Sequence, residues 1–149
     1  MSVEILQVCR GHLPEIAALE AVCFPEPWSE GALELFLEDR AVAFAAVEGT
    51  AVLGYIGMLL APGEGQILNL AVLPQARRCG IAKGLVARLI AEAQARGLES
   101  LSLEVRVSNT PAIGLYESFG FLKAGLRKHF YRHPAEDALV MVKKLAPNI

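Results

Sequence analysis

The segment Ile67–Lys83 limits the fold more than any other stretch. It reads Ile-Leu-Asn-Leu-Ala-Val-Leu-Pro-Gln-Ala-Arg-Arg-Cys-Gly-Ile-Ala-Lys. An apolar strand ends at Pro74, a turn carries Arg77, Arg78 and Gly80, and a new periodicity starts at Ile81. Ala82, Leu85, Val86, Leu89, Ile90 and Ala93 then share one helical face. Lys83, Arg88, Glu92 and Arg96 lie off it, and Gly97 supplies the stop. Ser100 to Val107 alternates instead: Leu101, Leu103, Val105 and Val107 point one way, Ser102, Glu104 and Arg106 the other. Strand, turn, helix, strand is a crossover unit, so the two strands should lie parallel in one sheet.

The flanking segments supply the rest of that sheet. Val3 to Val8 reads as a strand, and Pro14 suits the first turn of a helix carrying Ile16, Leu19, Glu20 and Cys23. Phe24-Pro25-Glu26-Pro27-Trp28 ends it. Ser29 then caps a second helix, expected to run to about Leu37. Ala41–Val47, Val52–Leu60 and Gln66–Val72 form an antiparallel meander, with turns at Glu48-Gly49-Thr50 and Pro62-Gly63-Glu64-Gly65. Asn109 or Thr110 caps a short helix through Phe119 that Gly120 ends, and Phe121–Tyr131 and Ala138–Lys144 close the chain as strands. The order β-α-α-β-β-β-α-β-α-β-β predicts an α/β (α+β) fold with a mixed central sheet of about seven strands and about four helices. At 149 residues, 1–149 is expected to be one domain.

Composition narrows the function. A net charge of −2 gives no general reason to expect nucleic-acid binding. The basic stretch Lys123 to His133 is read as a charged guard on a sheet edge. Cys9, Cys23 and Cys79 are odd in number and lack metal-ligand spacing, which fits reduced thiols in a cytoplasmic protein without a metal. No secretory leader is visible, and the longest apolar run, near Val52 to Ala61, is too short to span a bilayer.

The turn after Val72 has phosphate-binding chemistry. The first turn of a helix offers unpaired N–H groups and a positive dipole end. Gly80 permits close approach, and Arg77, Arg78 and Lys83 add charge. Neither the Walker pattern nor the dinucleotide glycine fingerprint is present. Glu104, on the polar face of the crossover strand, is a carboxylate paired with Arg106 or simply solvated, or else a general base. Tyr116, in the next helix, is either a core aromatic or a proton donor to a departing thiolate.

Arg77-x-x-Gly80-x-Ala82 resembles the pyrophosphate loop of the GCN5-related N-acetyltransferases (GNAT). Leu103-Glu104-Val105-Arg106, then Ser108-Asn109-x-x-Ala112, then Leu115-Tyr116-x-x-x-Gly120-Phe121 is similar to their RimI-type branch, the ribosomal-protein-alanine N-acetyltransferases. Cys23 to Ser29, Asn69 to Val72 and Asp137-Ala138 match the same branch, so the likeness runs nearly end to end. It implies acetyl-CoA as co-substrate and no metal. It further implies Glu104 as general base and Tyr116 as general acid, with Leu70, Ala71 and Val72 meeting the acetyl-pantetheine arm through backbone groups. Arg78, Cys79, Gly80, Ile81, Ala82 and Lys83 would wrap the pyrophosphate, and Asn109 would touch the cofactor. It also implies that the two central strands splay apart around the thioester.

The implied acceptor is a protein N-terminal α-amine, the N-terminal alanine of the eighteenth small-subunit ribosomal protein, with no nucleic-acid or membrane partner. Direct attack in a ternary complex follows, because no cysteine is placed as a nucleophile. A lysine side chain or small amine as acceptor, or a CoA-binding module without turnover, are the alternatives. The acidic segment Glu30 to Asp39 is expected to face a basic peptide. Where the branch often carries Asn-Tyr-Tyr, this chain has His129-Phe130-Tyr131.

Overall fold

Capping and proline chemistry set the first boundaries. After β1 (Glu4–Gln7), α1 (Leu13–Cys23) starts with Pro14 in its first turn. Ser29 Oγ accepts the Ala32 N–H at 3.1 Å and opens α2 (Glu30–Leu33), which tightens into a 3-10 turn over Glu34–Leu37 rather than continuing as α-helix. The chain continues through β2 (Ala41–Glu48), β3 (Ala51–Ala61), β4 (Glu64–Val72), α3 (Ile81–Ala95), β5 (Ser100–Arg106), α4 (Thr110–Ser118), β6 (Leu122–Arg132) and β7 (Ala135–Lys144). In this computed structural model, which describes residues 2–146, the sheet order is β1-β2-β3-β4-β5-β7-β6. β4 and β5 are the parallel pair and every other pairing is antiparallel, so the expected mixed sheet with four helices is present.

Other boundaries differ from the sequence reading as well, among them β7, which starts at Ala135 rather than Ala138. Glu64 and Gly65 belong to β4, which leaves Pro62-Gly63 as the whole turn. Val107 leaves the strand and is 41% exposed, because the chain already turns toward α4 there.

The sheet is covered on both faces. Val42, Phe44 and Ala46 of β2 pack with Leu85, Val86 and Leu89 of α3, while Ala43, Ala45 and Val47 pack with Leu13, Ile16 and Leu19 of α1. This is the period-two alternation of a strand buried on both sides. Among the described residues no helix is long and apolar enough to cross a membrane.

One irregularity shapes the middle of the sheet. Gly57 pairs with Asn69 and Met58 pairs with Ile67, so β4 carries an extra residue at Leu68. Leu68 packs with the α1-side core and Asn69 bonds groups on that same side, so two successive side chains face one way. Such a bulge bends its strand and ends regular pairing. β4 pairs with β5 only from Glu64↔Ser100 to Ile67↔Leu103; beyond that, β4 runs on to Val72 and β5 to Arg106 without partners in each other. The splay comes from the bulge.

Gly57 serves the same region. A Cβ there would lie 2.4 Å from Cε1 of Phe36, whose ring stacks on Trp28 at 5.6 Å and meets Tyr55 edge-on at 6.2 Å. Gly57→Ala should therefore overpack the core and cost about 1–3 kcal/mol. Thermal unfolding checks it: the melting temperature falls by several degrees, and an unchanged value would mean that the ring moves aside freely.

Candidate active site

Two cavities open where β4 and β5 part. One, of about 960 Å³, is lined by Leu70, Ala71 and Val72 of β4, by Arg77, Arg78, Gly80, Ile81, Ala82 and Lys83, and by Asn109 at the start of α4. The other, of about 750 Å³, is lined by Glu104 and Arg106 of β5, by Tyr116, by the α1–α2 loop, and by the turn joining β6 to β7. Cys23, Phe24, Leu70, Asn109 and Ala112 border both, so the two are halves of one cleft.

The first half is built for an anion. Gly80 caps α3 at φ +78, and Arg78, a residue with a side chain, also lies in the left-handed region at φ +65. Backbone held this way forms concavities of N–H groups, and strain of this kind collects at binding sites. No side chain caps α3, and the first intrahelical bond is Gly84 N–H to the Gly80 carbonyl at 3.0 Å. The N–H groups of Ile81, Ala82 and Lys83 are thus left for a ligand. A Cβ on Gly80 would meet nothing within 4 Å, so that glycine serves backbone conformation, not close packing. Arg77, Arg78 and Lys83 are the charged groups lining this half, with no carboxylate among them.

The predicted residues here are not equivalent. Cys79 is exposed, and its thiol turns back to the Arg77 carbonyl at 3.6 Å. The Val72 carbonyl is already engaged by Arg77 Nε at 3.2 Å and by the Cys23 thiol at 3.5 Å. That carbonyl is therefore not free for strand-like pairing with a ligand. Asn109 Oδ1 accepts the Ala112 N–H at 3.2 Å, which leaves its amide N–H groups for the cleft.

The second half is acidic. Glu20, Glu26, Glu104 and Glu136 line it, against Arg106 and Arg132. Arg106 does not pair with Glu104; it turns to Glu136 at 3.2 Å. Glu104 Oε1 accepts from Gln66 Nε2 at 2.9 Å, and its other oxygen has no partner among the described residues. Gln66 sits beside Ser102 in the parallel register, so its side chain shares a face with Glu104. Sequence reading missed it, although that register would have pointed to it.

Tyr116 is 4% exposed, its ring edge-on to Phe121 at 5.2 Å. Its hydroxyl has no hydrogen-bond partner among the described residues. No side-chain polar atom there is both sealed from solvent and unpaired, so this hydroxyl opens on the cavity its residue lines. Burial, with Tyr131 nearby, raises its pKa above the ordinary phenol value, and it stays protonated through the neutral range.

A buried carboxylate braces the wall between α1 and β4. Glu20, 1% exposed, accepts from Trp28 N–H at 2.9 Å, from the Tyr55 hydroxyl, and from Asn69 Nδ2 at 2.9 Å. It ties the α1–α2 loop to the bulge. Burial and the Glu20 charge push the Tyr55 phenol far up, so it acts as a donor here. The acidic segment behind that loop is partly neutralised, since Glu34 pairs with Arg10 at 2.6 Å and Glu38 with Arg40 at 3.0 Å. No cluster of three or more metal-ligating side chains occurs among the described residues.

The cleft thus opens where the parallel strands part, basic at a helix N-terminus and acidic beyond. The family model described as the acetyltransferase (GNAT) family matches residues 13–121, and the chain belongs to that family. The [ribosomal protein bS18]-alanine N-acetyltransferase of Escherichia coli K12 is 34% identical over 131 residues, 87% of this chain and 88% of its own. The protein of the same name from Haemophilus ducreyi is 37% identical over 121 residues, 77% of this chain and 81% of its own. The crystal structure of the ribosomal-protein-S18-alanine N-acetyltransferase from Escherichia coli superposes with a TM-score of 0.91 at 31% identity, covering 97% of this chain and 95% of that one.

Proposed function

We propose that this protein transfers acetyl from acetyl-CoA to the N-terminal α-amine of a protein, the N-terminal alanine of ribosomal protein bS18. The observation that carries the reading is the division of charge along one cleft. Its basic half suits a pyrophosphate and its acidic half suits an ammonium group, with Glu104 and the free Tyr116 hydroxyl lining the acidic side. Acetyl-CoA is the donor of the GNAT family, and the names of the relatives supply the acceptor.

In this reading Ile81, Ala82 and Lys83 give backbone N–H groups to the pyrophosphate, with Arg78, Cys79 and Gly80 completing the loop. Leu70 and Ala71, with Val72 beyond them, run beside the pantetheine arm as a neighbouring strand would. The amide of Asn109 meets the cofactor where the two halves join. Bound acetyl-CoA supplies an activated acyl carbon. Glu104, with one oxygen held by Gln66, takes the proton that the acceptor ammonium must lose, directly or through a water. As the new C–N bond forms and the C–S bond breaks, Tyr116 gives its proton to the departing sulfur, while the second proton that the nitrogen sheds on becoming an amide, like the first one held by Glu104, passes to solvent. Solvent then restores the phenol. No covalent acyl-enzyme is needed, so both substrates must be bound together.

The test is acetylation of three synthetic peptides by the purified protein with labelled acetyl-CoA. One has the free N-terminal sequence of bS18, the second has the same sequence blocked at its α-amine, and the third is blocked but contains an added lysine. Label is expected on the first alone, at the α-amine by fragment mass. Equal labelling of the third would move the acceptor to a lysine side chain, and labelling of none would reduce the protein to a CoA binder.

A further inference from the structure

The second half of the cleft is closed on one side by the β6–β7 hairpin; β7 pairs with β5 as far as Arg106↔Ala138, and the Arg106 side chain reaches the turn beyond that ladder. Arg106 ends β5, two residues beyond Glu104 on the same strand face. Its Nη1 donates to the Pro134 carbonyl at 2.8 Å and to Glu136 Oε1 at 3.2 Å, while Nη2 donates to the His133 carbonyl at 3.1 Å. Its guanidinium carbon lies 4.2 Å from the centroid of the Tyr131 ring. One planar fork thus grips both backbone carbonyls of the turn, a carboxylate and an aromatic face. A lysine ammonium cannot reproduce that set.

The far end of the grip is anchored as well. Glu136 Oε2 accepts the Ser108 N–H at 2.7 Å, so the carboxylate bridges Arg106 to the start of the β5–α4 loop. Hydrogen bonding from Ser108, with the Arg106 guanidinium beside it, holds the Glu136 carboxyl below the usual carboxylate range, and it stays charged at neutral pH. Within the hairpin, β6 bulges between Arg127 and Tyr131, with His129 at φ +56. Asp137 Oδ1 accepts the His129 N–H at 2.9 Å and fixes that bulge. A bulge re-aims the residues after it. Phe130, Tyr131 and Arg132, which follow His129, line the acidic half of the cleft.

We propose that Arg106 is a positioning residue for the acceptor. It latches the β6–β7 turn to the end of β5 and so builds the wall against which the acceptor's second and later residues lie. This rests on the N-terminal acetyltransferase reading above. It adds a division of labour within the Leu103-Glu104-Val105-Arg106 segment, in which Glu104 serves the first residue's amine and Arg106 serves the rest of the peptide. None of the residues that Arg106 touches in the hairpin lines the basic half of the cleft, so cofactor binding should depend little on the latch.

Steady-state kinetics on the full chain test this with two acceptors, an alanyl dipeptide amide and a hexapeptide with the N-terminal sequence of bS18. For Arg106→Gln the hexapeptide KM should rise about tenfold with kcat changed far less, since misplacing a substrate-holding surface acts on binding geometry. Arg106→Lys should fail to rescue, because the fork and not the charge is used. Glu136→Gln should give a smaller rise of the same kind. The ratio of hexapeptide to dipeptide kcat/KM should fall along with it, while the acetyl-CoA Kd by calorimetry moves by less than about twofold. A hexapeptide KM at the wild-type value overturns the latch, as does an acetyl-CoA Kd that rises in step, or a full rescue by lysine. If Arg106→Gln does not fold, Glu136→Gln and Arg106→Lys are judged by the same criteria. Failure of the wild-type protein to acetylate either peptide is a separate result: it overturns the acetyltransferase reading and the latch with it.

Discussion

Glu104→Gln is expected to lower kcat by about two to four powers of ten while acetyl-CoA affinity holds, the range measured for loss of a positioned general base. The substitution keeps the shape of the side chain and an oxygen that can still accept from Gln66 Nε2, so the packing between β4 and β5 is preserved. What it removes is the group that takes a proton. An N-terminal ammonium has a pKa of about 8 and carries its proton at neutral pH. The amine can attack only once it is neutral, and the variant must wait for the small fraction already deprotonated by solvent. The penalty should therefore shrink by about an order of magnitude between about pH 7 and about pH 9, where the free amine becomes abundant. Rates measured across that range decide the matter. A loss of the same size at both ends would mean that Glu104 shapes the cleft without handling a proton.

The residues in this prediction were legible in the sequence to different degrees. Glu104 stood out because β5 alternates cleanly, and alternation alone assigns a carboxylate to the polar face. Gln66 did not stand out, because its relation to Glu104 depends on the parallel register between two segments separated by α3. The same limit hid the cause of the splay. The bulge at Leu68 is invisible in a run of apolar residues until the pairing of Gly57 and Met58 is known. A pair of Arg106 with Glu104 is one alternative the sequence leaves open, because the two are neighbours on one strand face. In the fold Arg106 is drawn away by Glu136 and by two carbonyls from the distant turn. Local patterns carried α3, β5 and the phosphate turn, where propensity, capping and periodicity agree. Groups that meet only through long-range register, Glu20 with Asn69 or Tyr131 with Arg106, leave no local trace.

Tyr116→Phe should separate the departure of the thiolate from everything that precedes it. The phenol hydroxyl has no partner to lose among the described residues, and the ring keeps its edge contact with Phe121, so the melting temperature should hold. Acetyl-CoA affinity should hold as well, because Tyr116 lines the acidic half of the cleft and not the phosphate half. The loss should fall on kcat, by about a hundredfold, the lower end for removing a positioned acid. Coenzyme A thiolate, with a thiol pKa of roughly 8.5 in water, is a moderate leaving group by itself, which is why the loss stops short of that for Glu104. A pH signature follows from burial. The same desolvation that lifts the Tyr116 pKa keeps the phenol protonated as the pH rises, so the wild-type rate, with Glu104 taking the amine's proton, should stay level into the alkaline range. A phenol of ordinary pKa would instead lose its proton near about pH 10 and bend the profile down. A thioester donor with a more acidic thiol should narrow the gap between wild type and variant, since a better leaving group needs the proton less. If the gap stays constant across donors, or the melting temperature drops with kcat, Tyr116 supports the core and the proton comes from elsewhere.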